Sequence, residues 1–158
     1  MKKETIKGKN KEVKILLLGD SGVGKTSIFK RYIKDEYEGN KTATVGVEFS
    51  TKDFIYKNEN YKIQLLDTAG QERFRGITKS YYHMGDYYFI VFDLTNKNSL
   101  DSLSTWLESL KDEKENPKFI ILGNKDDLKN NQIPEDEINK ALEKLDNINI
   151  NGEKFLYF

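Results

Sequence analysis

Nine residues, Gly19-Asp20-Ser21-Gly22-Val23-Gly24-Lys25-Thr26-Ser27, follow directly on the apolar run Val13–Leu18. Gly19, Gly24, Lys25 and Thr26 stand at the fixed positions of a phosphate-cradling loop, the P-loop. Glycines let main-chain N–H groups turn inward and approach phosphate oxygens closely. A helix beginning near Gly24 would aim its unsatisfied N–H groups and its positive end at the same place. Lys25 would then reach the terminal phosphates, and the Thr26 hydroxyl would hold Mg²⁺. Ser21, Gly22, Val23 and Ser27 complete the wall. The bland alternative is a glycine-rich turn with no ligand, but here a strand precedes the loop and a helix follows it.

A phosphate loop does not choose between adenine and guanine; "GNKDDL" does. Asn124-Lys125-x-Asp127 follows a buried strand, at the sheet edge where ligands of such folds bind. The Asp127 carboxylate can accept from guanine N1–H and the 2-amino group. Adenine has an acceptor at N1 and no 2-amino group, so the carboxylate would be desolvated and unpaired, at a cost of ~1–3 kcal/mol or more. Alone the pattern is weak in a chain rich in Asn, Lys and Asp; with the phosphate loop upstream it is specific. "LLDTAGQE" supplies the third part. Asp67 ends a strand, where it could hold Mg²⁺ through water. Gly70 offers a main-chain N–H to a γ-phosphate, and Gln71 can orient an attacking water. The plain alternative for Gln71 is a solvated loop residue.

Strands alternating with helices must position these groups. Val13–Leu18 reads as a buried strand and residues 24–33 as a helix with Ile28, Phe29, Tyr32 and Ile33 on its apolar side. Val47–Tyr56 and Tyr61–Asp67 alternate and read as an antiparallel hairpin around "KNEN". A helical segment is expected after Gly70 to about Tyr82, then a strand over Tyr87–Phe92. Ser99–Lys111 has Leu100, Leu103, Trp106, Leu107 and Leu110 at helical spacing, which reads as core. A strand over Phe119–Leu122 and a helix opened by Pro134 and acids follow, and Lys154–Phe158 is a last strand. The fold class is α/β, a mostly parallel six-stranded sheet with one antiparallel strand, covered by helices.

The 158 residues suit one domain: residues 1–11 as a disordered tail and 12–158 as the folded part. Lys plus Arg and Asp plus Glu both number 26, which argues against a nucleic-acid partner. There is no cysteine, so no disulfide and no prenylation site, and Lys2 rules out N-myristoylation. No apolar run approaches the ~18 residues of a membrane helix.

On these motifs the chain resembles the Ras-like small GTPases, and the Rab branch in particular, over residues 12–158. Thr44 lies nineteen residues after Lys25, as the Mg²⁺-binding threonine of the first switch does in that superfamily. "VGVEF", "QLLDTAGQERFRGITKSYY" and "FIVFDLTNKNSL" follow the Rab pattern. The resemblance implies a P-loop small G domain that binds GDP and GTP with Mg²⁺ and hydrolyses GTP slowly, as a switch in vesicle traffic. It implies that Tyr37 packs an aromatic face on or near the guanine, that Thr26 and Thr44 ligate Mg²⁺ with Asp67 behind a water, and that Gln71 and Lys25 serve catalysis. An exchange factor, a GTPase-activating protein and effectors are the implied partners. The implied location is cytoplasmic, with endomembrane association only through a lipidated C-terminal tail. A nucleotide-dependent scaffold that no longer hydrolyses is the alternative function. An ATP-using enzyme would require the Asn124–Asp127 match to be accidental.

Three departures stand out. The aromatic triad commonly read by Rab effectors falls on Phe49, Leu66 and Tyr81, with leucine where tryptophan is usual. "YYHMG" replaces Tyr-Tyr-Arg-Gly, and His83, the only histidine, reads as a surface residue rather than a metal ligand. The family also continues into a "SAK"-like loop that touches the base and then a final helix, neither of which follows Phe158. Without that helix about five apolar side chains would be uncovered, at ~1.5–3 kcal/mol each. The total of roughly 10 kcal/mol rivals the ~5–15 kcal/mol stability of a domain. A free domain of these residues alone is therefore expected to be marginal.

Overall fold

The computed structural model describes residues 11–37, 44–70, 75–145, 148 and 156–157. The apolar run after Lys11 forms β1 (Lys11–Leu18), whose last three residues are fully buried. It stops at Gly19, and Gly24 then starts α1 (Lys25–Lys34) from a left-handed backbone with φ 103°. The hairpin follows as β2 (Val47–Tyr56) and β3 (Glu59–Thr68). Its turn is tighter than "KNEN" suggested. Lys57 and Asn58 alone make it, both with positive φ (49° and 63°), which matches the right-handed twist of the flanking strands. Helix α2 (Arg75–Ser80) and a 3₁₀ turn (Tyr82–Met84) lead into β4 (Tyr87–Asp93).

The single helix expected over Ser99–Lys111 is two pieces, α3 (Lys97–Asp101) and α4 (Leu103–Glu113). Between them the Asn98 carbonyl accepts from both the Ser102 hydroxyl at 2.9 Å and the Ser102 amide at 3.0 Å. Asn96 caps α3 by accepting from the Asn98 amide at 3.0 Å. Then come β5 (Lys118–Asn124), α5 (Glu135–Leu145) with three acids in its first turn, and β6 (Leu156–Tyr157).

The sheet runs β2-β3-β1-β4-β5-β6, with β2 antiparallel to β3 and the other pairs parallel. This is the six-stranded α/β Ras-like arrangement expected. The chain leaves β1 for β3 on one side and β4 on the other, which opens a crevice at the carboxyl ends of these strands. The larger core fills one face. There Leu16, Leu18, Tyr88, Ile90 and Phe92 meet Leu103, Trp106, Leu107 and Leu110 of α4. On the other face Leu17, Phe29 and Leu65 form a smaller cluster with α1. An apolar hollow of about 270 Å³ remains beside it, between Ile15, Ile28, Tyr32, Phe54, Ile63 and Phe89.

One expectation needs correction. Leu66 is 2% exposed, within the larger core against which Val47 and Tyr81 pack, because β3 is an interior strand. It is no surface contact; Phe49 is 67% exposed and Tyr81 half-buried. Strand β2 pairs with β3 as expected and lies at the margin of the sheet. As the sheet edge it leaves Phe54, Ile55 and Tyr56 all exposed, on both faces.

Candidate functional site

Register brings the groups together. Leu17 of β1 is level with Asp67 of β3, and Asp93 of β4 with Asn124 of β5, so the loops after four strands meet at one edge. Helix α1 opens there with no side-chain cap and no acid in its first turn. Its N–H donors and positive end are left to a ligand.

Lys25 is 5% exposed. Its ammonium donates to the carbonyls of Gly19 at 2.7 Å and Asp20 at 2.8 Å. Burial pushes its pKa down to about 8, although the Asp67 and Asp20 carboxylates pull the other way. Thr26 Oγ1 donates to Asp67 Oδ2 at 2.5 Å and lies 2.8 Å from Thr44 Oγ1. With its one proton given to Asp67, Thr26 must accept from Thr44. Thr44 is thereby tied to the start of α1.

Asp67 is fully buried, and its Oδ1 has no hydrogen-bond partner among the described residues. Burial raises its pKa against the bond from Thr26 and the charge of Lys25. A buried, half-satisfied carboxylate beside two hydroxyls is an all-oxygen set suited to a hard divalent cation. Among the described residues no cluster of three or more His, Cys, Asp or Glu forms a metal cage.

Gly70 closes the floor of the site. A Cβ there would run into Lys25 Nζ and the Asp20 carbonyl. Gly24 is as constrained: a Cβ would strike Asn124 Nδ2, in a backbone that L-residues avoid. That amide donates to the Val23 carbonyl at 2.8 Å, so Asn124 ties the base loop to the phosphate loop. Asp127 is exposed, while its neighbour Asp126 is fastened by Lys129 and Gln132. Ser21 and Gly22 are exposed at the rim, Val23 is buried, and Ser27 is half-buried behind Thr26. Tyr37 is 73% exposed. Gln71 lies outside the described residues.

Two aspartates escaped the sequence reading. Asp93 accepts from Lys125 Nζ at 2.6 Å and from the Thr95 amide and hydroxyl at 2.8 and 2.7 Å. Burial alone would raise its pKa, but these bonds win and hold it below the usual carboxylate range. It thus braces Lys125, whose φ is 70°. Its signal was an acid closing an apolar strand level with Asn124. Asp20 accepts from the Trp106 indole N–H at 2.8 Å. Its signal was an anion placed inside a phosphate-binding loop.

A comparison with known protein families matches residues 14–151 to the Ras family. The chain belongs to the Ras family of small GTPases. Its Rab-like character is borne out by its relatives. It is 44% identical over 117 residues to "Ras-related protein Rab-11B" of Dictyostelium discoideum, covering 73% of this chain and 53% of that protein. It is 39% identical over 133 residues to "Ras-related protein RABA4a" of Arabidopsis thaliana, covering 83% and 59%. It is 40% identical over 116 residues to "GTP-binding protein ypt3" of Schizosaccharomyces pombe, covering 73% and 54%. The Ras-family chain spans between about half and three fifths of the length of these relatives. Among the described residues no helix is long and apolar enough to cross a membrane.

Proposed function

We propose that this Ras-family chain is the nucleotide-binding part of a Rab-type switch. It binds GDP and GTP with Mg²⁺, hydrolyses GTP slowly to GDP and phosphate, and acts in vesicle-mediated membrane traffic. The observation that carries the reading is the convergence of buried Lys25, the Thr26–Asp67 pair and the Asn124–Asp127 loop on one sheet edge. Ser21, Gly22, Val23, Gly24 and Ser27 line the phosphates with main-chain and hydroxyl groups. Lys25 takes the β- and γ-phosphates, Gly70 N–H meets the γ-phosphate, and Asn124, Lys125 and Asp127 receive the base with Tyr37 beside it. Thr26, Thr44 and Asp67 would hold Mg²⁺, which neutralises charge gathering on the phosphate oxygens. Gln71 orients the water that attacks the γ-phosphorus as the bond to the β–γ bridging oxygen breaks. Phe49 and Tyr81 meet effectors while GTP is loaded. Exchange factors and GTPase-activating proteins set the two rates, and membrane association needs a lipidated segment beyond these residues.

Phosphate release by the protein and by Gln71→Leu tests the chemistry. A fall of roughly tenfold or more is expected, since ordering an attacking group is worth at least that. Equal rates would remove Gln71 from the reaction, and a long-lived GTP complex in the wild type would favour a binding scaffold. Gly70→Ala tests the floor. The added methyl pushes the loop off Lys25 and Asp20, at about 1–3 kcal/mol. GTP affinity should fall by about that amount relative to GDP, since only GTP offers a γ-phosphate to Gly70; an unchanged ratio in competition binding would refute it.

A further inference from the structure

We propose that Trp106 and Asp20 form a strut by which α4 holds the phosphate loop in its binding shape, and that this strut sets how long the nucleotide stays. The proposal rests on the nucleotide reading above. Asp20 follows Gly19 inside a loop built for anions, so its carboxylate must be turned away from the phosphates and given a donor. The indole N–H of Trp106 is that donor, at 2.8 Å across 86 residues of sequence. Trp106 is 2% exposed and packed in the larger core, so its ring is a fixed post. The main-chain carbonyl of the same aspartate accepts from Lys25 Nζ at 2.8 Å, and Gly70 packs against that carbonyl. One residue is therefore held outward by its side chain and inward by its backbone. Turning the carboxylate free would rotate the peptide that Lys25 and Gly70 rest on. It would also allow a negative charge to swing toward the phosphates.

Release of tritiated GDP from the Mg·GDP complex is the test. Trp106→Phe, which keeps an aromatic ring in the core and loses the N–H together with part of the bicycle, should speed release roughly tenfold, the scale of one hydrogen bond to a charged group. Asp20→Ala should speed it similarly, and the double variant no more than either single one. Asp20→Asn keeps an acceptor oxygen and should recover most of the wild-type rate. Unchanged release in both single variants, or additive effects in the double, would overturn the strut. So would slower release in Asp20→Ala, which would mean the carboxylate acts only as a nearby anion. Should Trp106→Phe fail to fold, the two Asp20 variants still decide: faster release in Asp20→Ala with near wild-type release in Asp20→Asn supports the strut, and equal release by the two would overturn it. Wild-type protein that bound no Mg·GDP in the same assay would bring down the nucleotide reading and the strut with it, whereas normal binding with indifferent variants would sink the strut alone.

Discussion

Replacing Asp127 by asparagine should cost the protein its guanine nucleotides. The carboxylate would accept from both N1–H and the 2-amino group, and each such charge-assisted bond is worth about 1.5–3 kcal/mol. Asparagine keeps one acceptor and adds a donor that faces the 2-amino group, donor against donor. GDP affinity should therefore fall by roughly a hundredfold to ten-thousandfold. Xanthine carries an oxygen where guanine carries the 2-amino group, so the asparagine N–H₂ has a partner there, and xanthosine diphosphate should overtake GDP. Asp126→Asn is the internal control. That side chain is engaged by Lys129 and Gln132 and braces the loop, so its loss should change affinity far less and leave the base preference intact. Calorimetry with the two diphosphates decides the matter. A variant that still preferred GDP would remove Asp127 from base recognition.

Legibility followed locality. The phosphate loop is nine consecutive residues, and its glycines, lysine and threonine carry their geometry with them; the same holds for Asn124–Asp127. The mostly parallel character of the sheet was legible because buried strands alternating with helices require parallel crossovers, and the hairpin supplied the one antiparallel strand. What escaped depends on contacts far apart in the chain. Nothing near Asp20 in sequence announces an indole from α4, and nothing near Asp93 announces the ammonium of Lys125. The burial of Leu66 needed the position of β3 inside the sheet, and the exposure of β2 needed its place at the edge. The division at Ser102 was missed for another reason: apolar spacing reports which face is buried and is blind to a hydroxyl that shares a backbone carbonyl with the helix ladder. Asn124 was legible as a site residue but with an incomplete role, since its amide nitrogen ties Val23 in place.

The same division between local chemistry and surrounding fold sets what Lys25 should do when removed. This ammonium is 5% exposed, with two carbonyls as acceptors and its pKa pressed down to about 8 by burial. Its charge is thus held, below that pH, where the fold disfavours it. A bound diphosphate would add anionic acceptors within reach of this ammonium. Lys25→Met should therefore weaken Mg·GDP binding by about three orders of magnitude, from two charge-assisted bonds of roughly 2 kcal/mol each. The fold of the stripped protein should meanwhile survive, because methionine fills the same buried channel without a charge. The pH dependence separates this reading from simple damage. The unfolded lysine titrates near 10.5 and the folded one near 8, so between these values the unfolded chain binds more protons, and stability rises with pH. Stripped wild-type protein should gain up to about 3 kcal/mol from this group between pH 8 and 10.5. Chemical denaturation across that range should show the gain in the wild type and its absence in Lys25→Met. Parallel curves for the two proteins would mean that burial does not burden the charge, and that the loop holds its lysine in readiness for phosphate at no cost to the fold.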